Sequence, residues 1–191
     1  TGDVLQRITL SWLRQHTEAD EQCTVTDVTS AYTLLSLQGP RSRDLLQAIS
    51  GADLSTEAVP FRASCEIELG FARLLLVRIT YMGELGYELY IPTEYSHTVY
   101  DALVEGIEGQ GVSLVHGGLM ALDSLRLEKG YRDFGVDIDN TDTPLEAGLG
   151  FVVDFNKEHF IGRDVLLAQK ESGPLKKRLL QFLLKDAQPL L

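Results

Sequence analysis

Between positions 81 and 90 the chain reads Tyr81-Met82-Gly83-Glu84-Leu85-Gly86-Tyr87-Glu88-Leu89-Tyr90, two carboxylates among three tyrosines. Gly83 and Gly86 flank Glu84, where a turn needs positive φ or close backbone approach. Beyond the turn, strand alternation puts Glu88 and Tyr90 on one face and Tyr87 and Leu89 on the other. A carboxylate on a sheet face beside a tyrosine can accept two hydrogen bonds from a planar amidine-like edge, such as that of a pterin or a guanine. Each charge-assisted bond of this kind contributes about 1.5–3 kcal/mol. The same residues also fit an ordinary hairpin, with Glu84 in water and Glu88 on a solvated face.

Two further segments carry charge in a pattern. In Asp123-Ser124-Leu125-Arg126-Leu127-Glu128 the spacing lets Asp123 pair with Arg126 along a helix, and Glu128 with Arg132 if the helix continues. In Asp137-Ile138-Asp139-Asn140-Thr141-Asp142-Thr143-Pro144-Leu145-Glu146-Ala147-Gly148 the alternating acids suggest a calcium loop. The spacing fails, because Asp142 stands where such a loop needs Gly and Gly148 where it needs Glu. Thr143-Pro144 instead stiffens this loop, and Glu146 either caps a turn or reaches a ligand. His16, His97, His116 and His159 form no ligand-spaced pair, and Cys23 and Cys65 show no CxxC spacing, so no metal site is expected. Phosphate-binding, dinucleotide-binding and nucleophile-elbow motifs are missing from the sequence.

The elements that must position these residues follow from periodicity. Residues 4–16 carry Val4, Ile8, Trp12 and Leu13 at helical spacing, expected to face inward. Residues 24–29 and 32–37 read as short strands, stopped by Gly39-Pro40, and residues 42–49 resume a helical pattern with Leu45, Leu46 and Ile49 inward. Residues 64–69, 72–80 and 87–91 read as strands. A helix over 93–107 has Thr93 as its expected N-cap, and a short strand at 112–115 precedes a helix over 119–130 with Leu119, Leu122 and Leu125 toward a core. Residues 135–150 form a long ordered loop. A last helix ends near Gly173-Pro174, and residues 179–184 read as a final strand. The fold class is therefore α+β, with mixed or antiparallel sheets and flanking helices.

The chain has 191 residues, 44% hydrophobic and 24% charged, which is enough for one substantial domain or two small ones. The net charge of −11 argues against nucleic acid as a partner, since neutralising phosphates needs surplus Lys and Arg. No apolar run approaches the roughly 18 residues of a membrane helix. Thr1-Gly2-Asp3 has neither an initiator Met nor a signal-peptide pattern, and both ends read as boundaries within a longer parent.

Three motifs in this order resemble the glycine-cleavage T-protein (aminomethyltransferase) folate-binding family: residues 81–88, 124–128 and 137–146. Glu128-Lys129-Gly130-Tyr131-Arg132, Leu37-Gln38-Gly39-Pro40 and Phe160-Ile161-Gly162-Arg163 are similar to its dimethylglycine and sarcosine dehydrogenase branch. The resemblance covers essentially the whole chain. It implies α+β modules around a folate channel, with most of the family's C-terminal barrel lacking here. The expected division is a first α+β subdomain at 1–55, a second at 56–173 and the start of the barrel at 174–191.

The chemistry so implied is capture of a one-carbon unit from a methylated amine as 5,10-methylenetetrahydrofolate. FAD would be bound only by a separate upstream domain of the parent. By motif position Glu88 binds the pterin edge and Tyr81 lines the pocket, with Glu84 and Glu146 as secondary cofactor-binding residues. The family's catalytic aspartate maps near Thr9, where none stands and Asp3 is the nearest, so no catalytic residue is assigned. A folate-contacting arginine of the family is Leu122 here. The resemblance implies a mitochondrial matrix location in a eukaryote and a cytoplasmic one in a bacterium. A non-catalytic module on the same fold, similar to the pyruvate dehydrogenase phosphatase regulatory subunit, is the alternative.

Overall fold

The computed structural model describes residues 2, 5–18, 22–108 and 110–186. Asp3 and Val4 lie outside them. The chain divides into two compact units. The first takes in the chain up to Thr80 together with Glu84–His116, and the second takes in Tyr81–Gly83 with the chain from Gly117 onward.

The first unit is built on one sheet. Helix α1 (Gln6–Gln15) is followed by β1 (Tyr32–Gln38), α2 (Ser42–Ser50), β2 (Ser64–Leu69), β3 (Ala72–Val77), β4 (Gly86–Pro92) and α3 (Ser96–Glu105). The four strands lie in the order β1-β4-β3-β2 and every pairing is antiparallel. The alternation seen in sequence sorts the two faces. Leu37, Ile67, Leu69, Leu74, Leu76, Tyr87, Leu89 and Ile91 are buried in one core with Leu45 and Leu46 of α2 and Val99 and Leu103 of α3. Burying each such leucine or isoleucine contributes about 1.5–3 kcal/mol. Tyr87 is fully buried, and its hydroxyl accepts from Arg43 Nε at 3.1 Å and donates to the Leu54 carbonyl at 3.5 Å. Helix α2 ends on Gly51 at φ 67°, a left-handed position that glycine takes without a Cβ clash.

The second unit contains α4 (Leu119–Lys129) and α5 (Arg163–Glu171), joined by a long irregular segment with a single bridge between Phe134 and Ile138. Helix α4 closes on Gly130 at φ 76°, and the Tyr131 N–H returns to the Arg126 carbonyl at 2.9 Å, the six-to-one bond of a Schellman ending.

Several expectations are corrected. Residues 24–29 form no strand: Asp27 accepts from the backbone N–H (3.0 Å) and hydroxyl (2.6 Å) of Thr29, a local turn that competes with ladder pairing. Residues 112–115 and 179–184 pair with no strand among the described residues, and an extended run without a ladder partner is not a sheet strand. Thr93 does not cap α3, because its hydroxyl donates to the Ser30 carbonyl at 3.0 Å and a 3-10 turn, Thr93–Tyr95, precedes the helix. Ile8 and Trp12 of α1 are 67% and 56% exposed, and Leu119 of α4 is 81% exposed rather than facing a core. The inward residue of α4 is Arg126. No helix of the described residues is long and apolar enough to cross a membrane.

Candidate functional site

Glu88 sits at the middle of β4, on the sheet face opposite the leucine core. Its neighbours in register are Ser36 of β1 and Val77 of β3, and one step along the same face Tyr90 lies between Leu34 and Leu75. Because β4 has a strand on each side, the Glu88 backbone is fixed by two ladders and only its side chain is free to adjust. Tyr90 donates its hydroxyl to Glu88 Oε2 at 2.8 Å. The Tyr90 phenol is held above its ordinary pKa, first by burial and then by the hydrogen bond and charge of Glu88. It therefore stays a protonated donor at neutral pH.

The start of β4 is pinned from two sides. The Leu85 carbonyl accepts from the Gly39 N–H at 2.8 Å and from the buried Ser42 hydroxyl at 3.2 Å. At Gly86 a Cβ would stand 1.8 Å from Gln38 Oε1, because the Gln38 amide lies across this strand position. That amide donates through Nε2 to Ser36 Oγ at 2.9 Å, whereas its Oε1 is buried without a hydrogen-bond partner. What Gly86 accommodates is thus the close approach of the Gln38 side chain rather than a positive φ.

Beyond Tyr90 the same face opens into a cleft of about 530 Å³. Tyr32, Leu34 and Tyr90 of the sheet line it together with Leu10 and Leu13 of α1 and with Val25 and Val28. Its polar side chains include Gln6, Thr9, Thr26, Asp27 and Thr29, and Gln6 Nε2 donates to Asp27 Oδ2 at 3.2 Å and to Thr29 Oγ1 at 3.1 Å. Glu88 is not among the residues lining this open, largely apolar cleft, and Tyr90 is the side chain that links the two. A flat heterocycle carrying adjacent N–H donors needs both an apolar surface and a carboxylate.

The structure distributes the sequence-derived candidates between the units. Glu84 belongs to the first unit and is exposed. Tyr81 belongs to the second, where its ring stacks on Tyr131 at 5.9 Å and its hydroxyl donates to the Arg132 carbonyl at 3.0 Å. Its phenol is also pushed above its usual pKa, mainly by burial and then by the charge of Asp133. Glu146 Oε2 accepts from both the N–H and the hydroxyl of Thr143 at 3.0 Å, which holds its carboxyl below the usual pKa. Its Oε2 thus caps this turn.

The buried Arg126 organises the second unit. Its guanidinium meets Asp123 at 3.3 Å, Asp133 at 3.9 Å and, most closely, Asp137. The Asp123 pairing follows from helical spacing; the Asp137 pairing crosses the loop and has no local signal. The expected partner of Glu128 is engaged elsewhere, since Arg132 donates to the carbonyls of Gly130, Ala147 and Gly148 at 2.6, 3.0 and 3.4 Å. Sequence reading also missed the cleft itself. The even-numbered positions of β1, Tyr32 and Leu34, were its only available signal.

Comparison with known proteins agrees with this architecture. Residues 1–157 match the family model described as the GCVT N-terminal domain. An aminomethyltransferase of Halothermothrix orenii is 41% identical over 92% of this chain and 47% of its own length. Human mitochondrial sarcosine dehydrogenase is 38% identical over 88% of this chain and 18% of its own. The crystal structure of the glycine cleavage system aminomethyltransferase T from Bartonella henselae superposes with a TM-score of 0.69 at 28% identity, over 89% of this chain and 44% of that one. The chain thus spans less than half the length of these relatives, and its mixed α+β architecture is part of the aminomethyltransferase T fold. It belongs to the aminomethyltransferase family, through the GCVT N-terminal domain.

Proposed function

We propose that this chain is a tetrahydrofolate-binding module of a larger protein similar to dimethylglycine and sarcosine dehydrogenases. The observation that carries the reading is the Glu88 carboxylate, set on the open face of the sheet with the Tyr90 hydroxyl on its Oε2, Tyr90 in turn lining a largely apolar cleft. The donor set fits: a pterin presents an N–H edge to a carboxylate and flat faces to Leu34, Tyr32 and the α1 leucines.

Glu88 would hold the pterin edge, and the cleft side chains would keep water from the ring. Tyr81 remains the pocket-lining candidate and Glu84 and Glu146 secondary ones, on their motif positions alone, and Glu146 already engages one oxygen in its own turn. Bound tetrahydrofolate would supply nucleophilic nitrogens that accept a one-carbon unit from a methylated amine. FAD, if the parent carries it, belongs to a separate domain.

Calorimetric titration of reduced tetrahydrofolate into the chain and its E88A variant tests the reading. Saturable binding by the wild type, weakened at least about 10-fold by the substitution, is the expected result. A folded wild-type chain that takes up no folate would overturn the reading and leave a non-catalytic module on the same fold.

A further inference from the structure

We propose that Tyr90 is the positioning residue for Glu88. Its phenol fixes one carboxylate oxygen, so that the other is presented to the N–H edge of the ligand, while its ring forms the cleft wall beside the ligand face. The inference rests on the folate reading and names a residue of that same site.

Three observations carry it. The two side chains leave β4 on the same face, two residues apart, and the Tyr90 hydroxyl meets Glu88 Oε2 at 2.8 Å. Tyr90 also lines the cleft with Leu34, its register partner in β1. One side chain therefore touches both the carboxylate and the apolar enclosure. A glutamate on an open sheet face otherwise samples several rotamers, and a ligand must select one of them. A hydrogen bond made before binding removes that ordering cost from the binding step. The donor must be neutral and must stay protonated, and the raised phenol pKa meets that condition. The register neighbours on this face, Ser36 and Val77 beside Glu88 and Leu34 and Leu75 beside Tyr90, are not ionisable, and the titratable groups lining the cleft with Tyr90 are Tyr32 and Asp27, the latter accepting from Gln6 and Thr29.

The test is a double-mutant cycle in the full chain, with tetrahydrofolate binding measured for wild type, Y90F, E88Q and the double variant. Y90F keeps the ring and removes only the hydroxyl. We expect it to weaken binding about 10-fold in the wild-type background, but less than about 3-fold where Glu88 is already replaced. An equal loss in both backgrounds would overturn the proposal, since Tyr90 would then act independently of Glu88.

A second readout needs no folate. Tyrosine labelled with carbon-13 at the phenol carbon reports the ionisation of Tyr90, assigned by the resonance that Y90F lacks. In E88Q that ionisation should move to lower pH, because the carboxylate charge is gone and only a neutral amide oxygen remains to accept from the phenol. An unmoved Tyr90 titration overturns the proposal whatever the folate result. A moved titration in a chain that binds no folate supports the positioning and overturns only the identity of the ligand.

Discussion

The two units of this chain hold together by opposite means. The first is organised by leucines: four strands and two helices share one apolar core, and the polar side chains of β4 stand on the other face. The second is organised by cations. Arg126 is the buried residue of α4, surrounded by Asp123, Asp133 and Asp137, and Arg132 gathers three carbonyls. The difference shows where a site can be built cheaply. In the first unit burial is complete without the open face, so Glu88 and Tyr90 are free for a ligand. In the second, Arg126 and Arg132 are already engaged in holding the fold.

The largest effect should come from the leucine core. Leu89 is fully buried on the strand that carries Glu88, and Leu89→Ala should cost about 3–4 kcal/mol in urea unfolding, through lost burial and the cavity left behind. Arg126→Met should cost less, about 2–3 kcal/mol, because a matched apolar chain replaces the stem while three partly exposed aspartates lose their cation. A loss as large as that of Leu89→Ala would erase the contrast between the units. The smallest effect is expected at Gly86, where Gly86→Ala must displace only the end of the Gln38 side chain, at roughly 1 kcal/mol. Adding Gln38→Ala should restore most of that loss. Failure to restore it would mean that the β4 backbone, rather than Gln38, resists the added methyl.

The sheet unit was the more legible of the two. Alternation located β2, a buried-looking run located β3 but overran its end at Val77, and the turn glycines located β4, whose two faces set Glu88 and Tyr90 opposite Tyr87 and Leu89. Helix α1 misled, since the apolar residues Ile8 and Trp12 face solvent while Leu10 and Leu13 meet the cleft. A helix lying over an open groove is not obliged to turn its most apolar stripe inward. Residues 24–29 misled for a different reason: β-branched composition favours a strand, but the Asp27 side chain satisfies the Thr29 backbone locally. At Arg126 helical spacing identified one partner and hid the burial, which depends on Asp137 returning from the loop. Position in the sequence could suggest Tyr81 and Glu146 but not the hydrogen bonds that occupy them.

The strand order β1-β4-β3-β2 also bears on how the first unit assembles. Strands β2 and β3 are adjacent in sequence and pair as a local hairpin, whereas Ser36 and Glu88 meet only after α2, β2 and β3 have been threaded between them. Closing that long interval is entropically slow compared with forming the hairpin. The β1–β4 ladder, unlike the local β3–β4 ladder on the other side of Glu88, is therefore expected to close after the hairpin, and a ribosome-bound chain possesses no such face until β4 has emerged.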